Sequence, residues 1–171
     1  MSRARSLSPP AGALVWLAPA VRVLLIAVGL SPWLPALASV LPALGPLATV
    51  AEGWFGFQCH RDPGRALAVG GVALPVCARC FGIYAGLGCG ALVLRPRLEA
   101  RFIRVWIVAS VLVMLLDVVT ELLEMRPPSA AARVITGALL AWPIGVALVQ
   151  NARRYARGSD DHGAAASPPA Q

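Results

Sequence analysis

The chain has 171 residues, of which 58% are hydrophobic and only 13% are charged, and its mean hydropathy is +0.71. An average soluble domain has roughly 25% charged residues, and a core of this size cannot hide so much apolar surface from water. These values exclude an ordinary soluble domain and predict an integral membrane protein that lies in a lipid bilayer.

The net charge of +7 raises the question of a nucleic-acid partner. The arginines lie between apolar runs rather than on one face or in one arm, and no nucleic-acid-binding motif accompanies them. Basic loops are typical of the cytoplasmic side of membrane proteins. We therefore interpret the charge as a feature of membrane topology and predict no nucleic-acid partner.

The first apolar stretch begins near Leu14 and is interrupted by Arg22 and by three prolines. A membrane helix needs about 20 apolar residues. We predict one span over residues 23–44, preceded over residues 1–22 by a cytoplasmic segment and an interfacial lead-in.

A cleaved signal peptide is the alternative interpretation of this stretch. Arg3 and Arg5 precede the apolar region, and Ala36-Leu37-Ala38 resembles a cleavage site. The presence of Arg22 inside the region and the region's length argue against cleavage.

Residues 48–74 have the composition of a loop between membrane segments. They combine aromatic residues suited to the membrane–water boundary with a proline and the pairs Gly64-Arg65 and Gly70-Gly71. We predict an extracytoplasmic loop here.

The second predicted span covers residues 75–94 and begins with Pro75, whose missing N–H costs nothing in a first helical turn. Small residues recur every four positions within it, at Gly82, Gly86 and Gly90. Such a stripe lets another helix approach closely. It predicts packing against a helix of the same chain, and self-association into a homo-oligomer is the alternative.

The third and fourth spans are predicted over residues 102–123 and 130–149, with Pro127-Pro128 between them. Residues 150–171 then begin as a basic segment and continue as a small, polar stretch that we expect to be disordered.

The distribution of arginine predicts the orientation of these spans. One side of the membrane would carry nine arginines: Arg3, Arg5, Arg95, Arg97, Arg101, Arg104, Arg153, Arg154 and Arg157. The other side would carry Arg61, Arg65 and Arg126, with Arg79 and Arg133 at span edges. Because Lys and Arg accumulate on the cytoplasmic side, we predict a multi-pass protein of a bacterial-type inner or plasma membrane, with both termini cytoplasmic.

Three of the four cysteines lie near the predicted outer face. Cys59 is followed directly by His60, and Cys77 and Cys80 form a Cys-x-x-Cys pair at the start of the second span. Three sulfurs and one imidazole are a common structural zinc complement, although neighbouring residues seldom both bind one tetrahedral ion. Cys89 lies in mid-span among glycines, and we expect it to be a small buried hydrophobic residue.

Two other interpretations of the cysteines remain open. An outward-facing loop is oxidising, so a structural disulfide from Cys59 to Cys77 or Cys80 fits the same spacing. Cys77 and Cys80 near a helix N-terminus, with Arg79 beside them, also suit a catalytic dithiol because positive charge favours the thiolate.

Polar residues share one face of the third span at i, i+3, i+4 and i+7: Asp117, Thr120, Glu121 and Glu124. Carboxylates at membrane depth are costly unless they are paired or protonated. Arg133 at the start of the fourth span could neutralise Asp117 or Glu121. We predict a helix-to-helix ion pair, and a polar pocket beside the thiols is the alternative.

Three sequence segments form a recognisable pattern. They are the run from Cys59-His60 through Pro63 and Arg65 to Pro75-Val76-Cys77-Ala78-Arg79-Cys80-Phe81-Gly82-Ile83-Tyr84, then Asp117-Val118-Val119-Thr120-Glu121, then Arg133-Val134-Ile135-Thr136-Gly137. Together they resemble the domain of unknown function 2085 family of small bacterial and archaeal membrane proteins. The chain departs from the family's pattern at Arg61, Phe81, Val118 and Glu121. The resemblance implies a small multi-span fold with a shared site, and it names no reaction.

We therefore predict an all-α integral membrane bundle of about four transmembrane helices with an extracytoplasmic Cys/His cluster that is a metal site, zinc being the candidate, or a structural thiol site. The alternatives are a membrane dithiol oxidoreductase and a small transport or scaffolding protein that acts as an oligomer. The supporting polar residues would be Arg65, Arg79, Asp117, Glu121 and Arg133.

Overall fold

The computed structural model describes residues 15–60, 63–94 and 97–165, with the side chains of residue 63 and residues 159–165 left aside. Its helices are α1 Leu17–Leu30, α2 Leu34–Val40, α3 Gly45–Gln58, α4 Ala78–Ala91, α5 Ala100–Leu122 and α6 Ala130–Ala165. Its strands are β1 Ala66–Val69 and β2 Val72–Cys77. Arg3, Arg5, Arg61 and Arg95, which entered the predicted charge distribution, lie outside the described residues, as does the end of the predicted tail.

Three helical stretches within the described residues are long and apolar enough to cross a membrane: Leu17–Val40, Ala100–Leu122 and Ala130–Gly158. The remaining predicted span corresponds to α4, whose 14 residues measure about 21 Å. The strand that leads into α4 buries Leu74 and Val76. The predicted helical membrane bundle of about four spans is confirmed. It also carries a two-stranded sheet that the sequence did not indicate.

Helix α1 begins at Leu17, so Arg22, which we placed in the lead-in before the first predicted span, lies within a helix and has a partner. Its guanidinium donates a hydrogen bond to the carbonyl of Val93 at 2.9 Å, just beyond the C-terminus of α4, where helix carbonyls lack internal partners. Two prolines of this span, Pro32 and Pro35, lie at the starts of a 3₁₀ helix and of α2. Proline is tolerated at such positions because the missing N–H has no helical acceptor there.

Much of the segment that we predicted as a loop is regular structure. Helix α3 buries Ala48, Ala51 and Phe55, a helical spacing that the aromatic, glycine-containing composition obscured. The strands β1 and β2 pair as an antiparallel hairpin whose turn is Gly70-Gly71, with φ of 58° and 80°. Positive φ at both turn positions is the requirement that a Gly-Gly pair meets at no steric cost. The hairpin pairs Ala66 with Cys77 and so fixes where α4 begins.

Helix α4 packs against α6 with the two backbones almost in contact. An added Cβ at Gly82 or Gly90 would collide with a carbonyl of α6, and at Gly86 it would lie 2.6 Å from the Ala138 carbonyl oxygen. Gly137 and Gly145 of α6 face α4 in the same way. The glycine stripe of the second span therefore faces a helix of the same chain, and α4 and α6 run in parallel.

The expectation that Cys89 is buried is wrong. Its neighbours in sequence face other helices, Gly88 towards Gly29 of α1 and Gly90 towards α6, so the Cys89 side chain points away from both contacts and is exposed.

Helix α6 contains Pro143, which cannot donate to the carbonyl of Leu139 one turn earlier. That carbonyl accepts two hydrogen bonds from α5 instead, from the Trp106 indole at 2.8 Å and from the Ser110 hydroxyl at 3.3 Å. The proline thus creates an acceptor through which α5 attaches to α6. Helix α6 continues to Ala165, into the segment that we expected to be disordered.

The helices define two ends of the molecule. At the thiol end lie the N-termini of α4 and α6 and the C-terminus of α5. At the arginine end lie the C-terminus of α4, the N-terminus of α5 and the later turns of α6.

Replacing a helical glycine by alanine should change stability in opposite directions inside and outside the α4–α6 contact. Gly86→Ala should lower the free energy of unfolding by about 1–3 kcal/mol, because a backbone carbonyl cannot move away from the new methyl group. Gly53→Ala in α3, where an added Cβ meets nothing within 4 Å, should raise it by about 0.5–1 kcal/mol. Thermal unfolding in detergent measures the change in stability of each variant. A Gly86→Ala protein that is as stable as the wild type, or more stable, would contradict the close packing of α4 against α6.

Candidate metal centre

Three cysteine sulfurs converge at the thiol end. Cys59 follows the last residue of α3, Cys77 ends β2 and precedes α4, and Cys80 lies in the first turn of α4. Their Sγ atoms all lie within 4.8 Å of one another. The three sulfurs come from separate elements, so the tertiary structure assembles this group.

Local contacts hold each of these elements in place. The backbone N–H of Cys77 donates a hydrogen bond to the Cys59 sulfur at 3.2 Å. Phe55 of α3 packs edge-on against Tyr84 of α4, with ring centroids 5.1 Å apart. Val76, beside Cys77 in β2, is 1% exposed. The α3–β2 junction is therefore a packed apolar cluster that includes the buried Cys59, and Cys77 and Cys80 pack against it half-buried.

Two of the three cysteines line a small cavity of about 190 Å³. Cys59 and Cys80 contribute to its wall together with Gln58 and Tyr84, whose hydroxyl donates a hydrogen bond to the Gln58 side-chain oxygen. The cavity gives a small ligand access to the thiols from one side.

The three thiols differ in their surroundings: Cys59 is buried, and Cys77 and Cys80 are half-buried. All four cysteines of the chain are free thiols. The thiolate is the form of cysteine that binds metals and attacks disulfides.

His60 does not join the sulfurs. It is exposed, and the group of mutually close ligand atoms among the described residues consists of the three cysteines alone. The chain turns at this point, since Cys59 has extended backbone angles that direct its side chain inward and leave its neighbour outside.

A buried carboxylate lies beside the thiol turn. Asp117 of α5, with its side chain 5% exposed, accepts a hydrogen bond from Arg79 at 2.7 Å and forms a second ion pair with Arg126. Arg79 stands between Cys77 and Cys80 in sequence. The ion pair therefore ties the first turn of the thiol-bearing helix to α5.

The contribution of Arg126 was missed by sequence reasoning. Beyond the end of α5 the chain folds back, with the N–H of Met125 donating to the carbonyl of Thr120, and this reversal returns Arg126 to Asp117. Arg126 also donates to the Thr120 hydroxyl at 3.0 Å. The only signal in the sequence was the proximity of one arginine to a polar helix face, and it did not identify the partner.

Arg133 at the start of α6 pairs with Glu121, donating to both carboxylate oxygens, one of them at 3.2 Å from Nε. Of the two partners that we considered for Arg133, the structure has Glu121. Arg65, at the base of the hairpin, also interacts electrostatically with Glu121. Glu124 is exposed, with a positive φ of 55°, at the turn after α5. The thiol end thus contains a network of four arginines and two carboxylates beside the sulfurs.

Comparison with known proteins places this site inside a family segment. The sequence model of a family described as predicted membrane proteins, DUF2085, matches residues 59–147. The uncharacterised protein MJ1492 of Methanocaldococcus jannaschii is 31% identical over 83 residues, which are 46% of this chain and 53% of that protein. The chain thus spans about half the length of this curated relative. No solved structure matches the chain. The matched segment contains all three converging sulfurs and both ion-pair systems.

Proposed function

Because the chain belongs to the DUF2085 family of predicted membrane proteins, we propose a function for the site inside the family segment: it binds a thiophilic metal ion, Zn²⁺ being the best fit, through Cys59, Cys77 and Cys80. The observation that carries this proposal is the convergence of three sulfurs from three elements to within 4.8 Å of one another.

The sulfur geometry is close to what zinc requires. Zn–S bonds of about 2.3 Å at tetrahedral angles separate bound sulfurs by about 3.8 Å. The distances between the free thiols therefore need to contract by no more than about 1 Å, which side-chain rotation supplies.

The fourth coordination position is open. We assign it to His60, which needs to rotate from its exposed position, or to a water molecule that reaches the metal through the neighbouring cavity. A closed site with His60 would be structural, whereas a site with water would be able to bind or activate a small ligand.

A dithiol oxidoreductase is the second candidate, and the position of the Cys77–Cys80 pair at the N-terminus of α4, where the helix dipole favours a thiolate, supports it. In that reaction the Cys77 thiolate attacks a substrate disulfide, and Cys80 then releases the reduced substrate while forming the Cys77–Cys80 disulfide. The two functions differ in what frees the thiols: an impermeant alkylating agent should modify a redox pair after reduction and metal ligands after chelation.

We also propose that the thiol end faces away from the cytoplasm. Among the side chains that the structure describes, the arginine end has one carboxylate, Glu99, and seven arginines: Arg22, Arg97, Arg101, Arg104, Arg153, Arg154 and Arg157. At the thiol end the four described arginines are accompanied by three described carboxylates, Asp117, Glu121 and Glu124. This asymmetry supports a cytoplasmic arginine end.

The metal proposal predicts about one zinc ion per chain in the purified protein. Cys59→Ser, Cys77→Ser and Cys80→Ser should each weaken zinc binding by at least about 100-fold, since a lost ligand costs more than a lost supporting contact. Elemental analysis and competition with a chromophoric chelator measure the content and the affinity.

Cys89→Ser is the matched control, because Cys89 is a free thiol outside the cluster and its replacement should leave zinc binding unchanged. His60→Ala tests the fourth ligand. It should weaken zinc binding as much as a cysteine substitution only if His60 itself binds the metal. A wild-type protein that neither contains nor takes up zinc would remove the metal proposal.

The orientation predicts the behaviour of reporter fusions. A reporter that works only outside the cytoplasm should be active when fused after Gly71, in the hairpin turn, and inactive when fused after Gly158, because these positions lie at opposite ends of the bundle. A reporter that works only in the cytoplasm should give the reverse pattern, and activities exchanged between the two positions would invert the topology.

A further inference from the structure

The arginine end contains a cavity of about 450 Å³ that is distant from the thiols. Its wall is formed by the segment before α5 and by the later turns of α6. Four arginines line it: Arg97, Arg153, Arg154 and Arg157.

A buried glutamine side chain holds one wall of this cavity in place. Gln150 of α6 is 6% exposed and forms two hydrogen bonds with the backbone of Leu98, accepting from its N–H at 3.0 Å and donating to its carbonyl at 2.9 Å. These bonds fix the segment before α5 against α6. Arg97 is thereby held on one wall of the cavity, opposite the arginines of α6.

The electrostatics of the cavity call for an anion. Four arginines against Glu99, the carboxylate in the lining, leave a formal charge of +3. Among the side chains that the structure describes, none of these four guanidinium groups forms an ion pair with a carboxylate. Guanidinium groups match phosphate oxygens in bidentate geometry, so a phosphate group is the anion that this lining suits best.

A second cavity, of about 240 Å³, continues from the charged cavity and shares Leu98, Gln150 and Arg154 with it. Its wall combines the apolar residues Ala100, Ile103 and Ala147 with the polar residues Arg104 and Asn151. It lies between two helices that are long and apolar enough to cross a membrane. A ligand with a phosphate at one end and hydrocarbon at the other therefore matches the two spaces together.

We propose that this pair of cavities binds an anionic phospholipid, with the phosphate headgroup among the four arginines and an acyl chain in the second cavity between α5 and α6. Basic pockets between membrane helices recognise anionic lipid headgroups in this way. The proposal is independent of the thiol site and of any metal.

Native mass spectrometry of the full chain in neutral detergent tests the proposal, with phosphatidylglycerol and phosphatidylcholine of identical acyl chains as probes. The first molecule of phosphatidylglycerol to bind should bind the wild-type protein at least about tenfold more tightly than the first molecule of phosphatidylcholine. Arg154→Gln, which changes an exposed residue that lines both cavities, should weaken phosphatidylglycerol binding about fivefold and leave phosphatidylcholine unaffected.

Arg101→Gln is the matched control, because it removes the same charge from the same end at a position that lines neither cavity. It should leave both lipid affinities unchanged. If Arg101→Gln weakens phosphatidylglycerol binding as much as Arg154→Gln does, the lipid is attracted by the overall positive charge of this end, and the proposed site is overturned. Gln150→Ala keeps every charge and should still weaken phosphatidylglycerol binding, since it releases one wall. Displacement of the lipid by inorganic phosphate at an equal concentration would assign the cavity to a soluble phosphate and overturn the lipid proposal.

Discussion

The buried carboxylate of Asp117 is the constraint on which the thiol end depends. A charge inside a bilayer protein is costly unless a partner neutralises it, and Asp117 is neutralised by Arg79 from α4 and by Arg126 from the turn after α5. Because Arg79 lies inside the Cys-x-x-Cys sequence, the contact that makes the carboxylate tolerable also fixes the helical turn that carries Cys80. Removing one partner of such a buried pair typically costs about 3–5 kcal/mol. We therefore regard the ion pairs and the sulfur cluster as one structural unit.

The other half of that unit is the close packing of α4 and α6. Lipid tails are as apolar as leucine, so burial alone does not hold membrane helices together, and small residues allow the backbone contact that does. The glycines of α4 meet backbone carbonyls of α6, and the Arg133–Glu121 pair joins α6 to α5 at the same end. The three helices thus converge where α3 and the hairpin deliver Cys59 and Cys77. Rigid helices position the sulfurs, and the short elements supply them.

The sequence predicted what depends on composition and period. Long apolar runs indicated the membrane bundle, the glycine spacing indicated a helix contact, and the polar stripe of α5 indicated paired charges. The hairpin, helix α3 and the return of Arg126 depend on tertiary contacts and on turn geometry, which composition alone does not reveal. The exposure of Cys89 likewise follows from the two different helices that its glycine neighbours face. For His60, adjacency to Cys59 in sequence said nothing about which of the two side chains points inward.

Cys59 and Cys80 meet, we infer, because the Arg79–Asp117 pair holds the first turn of α4. Intramolecular disulfide formation under mild oxidation tests this inference, in a protein where Cys77→Ser and Cys89→Ser leave only those two thiols. We expect nearly complete, concentration-independent cross-linking of Cys59 to Cys80, and several-fold slower cross-linking when Asp117→Asn is added. If both thiols stay reactive towards an alkylating agent after oxidation, or if Asp117→Asn leaves the rate unchanged, the ion pair does not position these sulfurs.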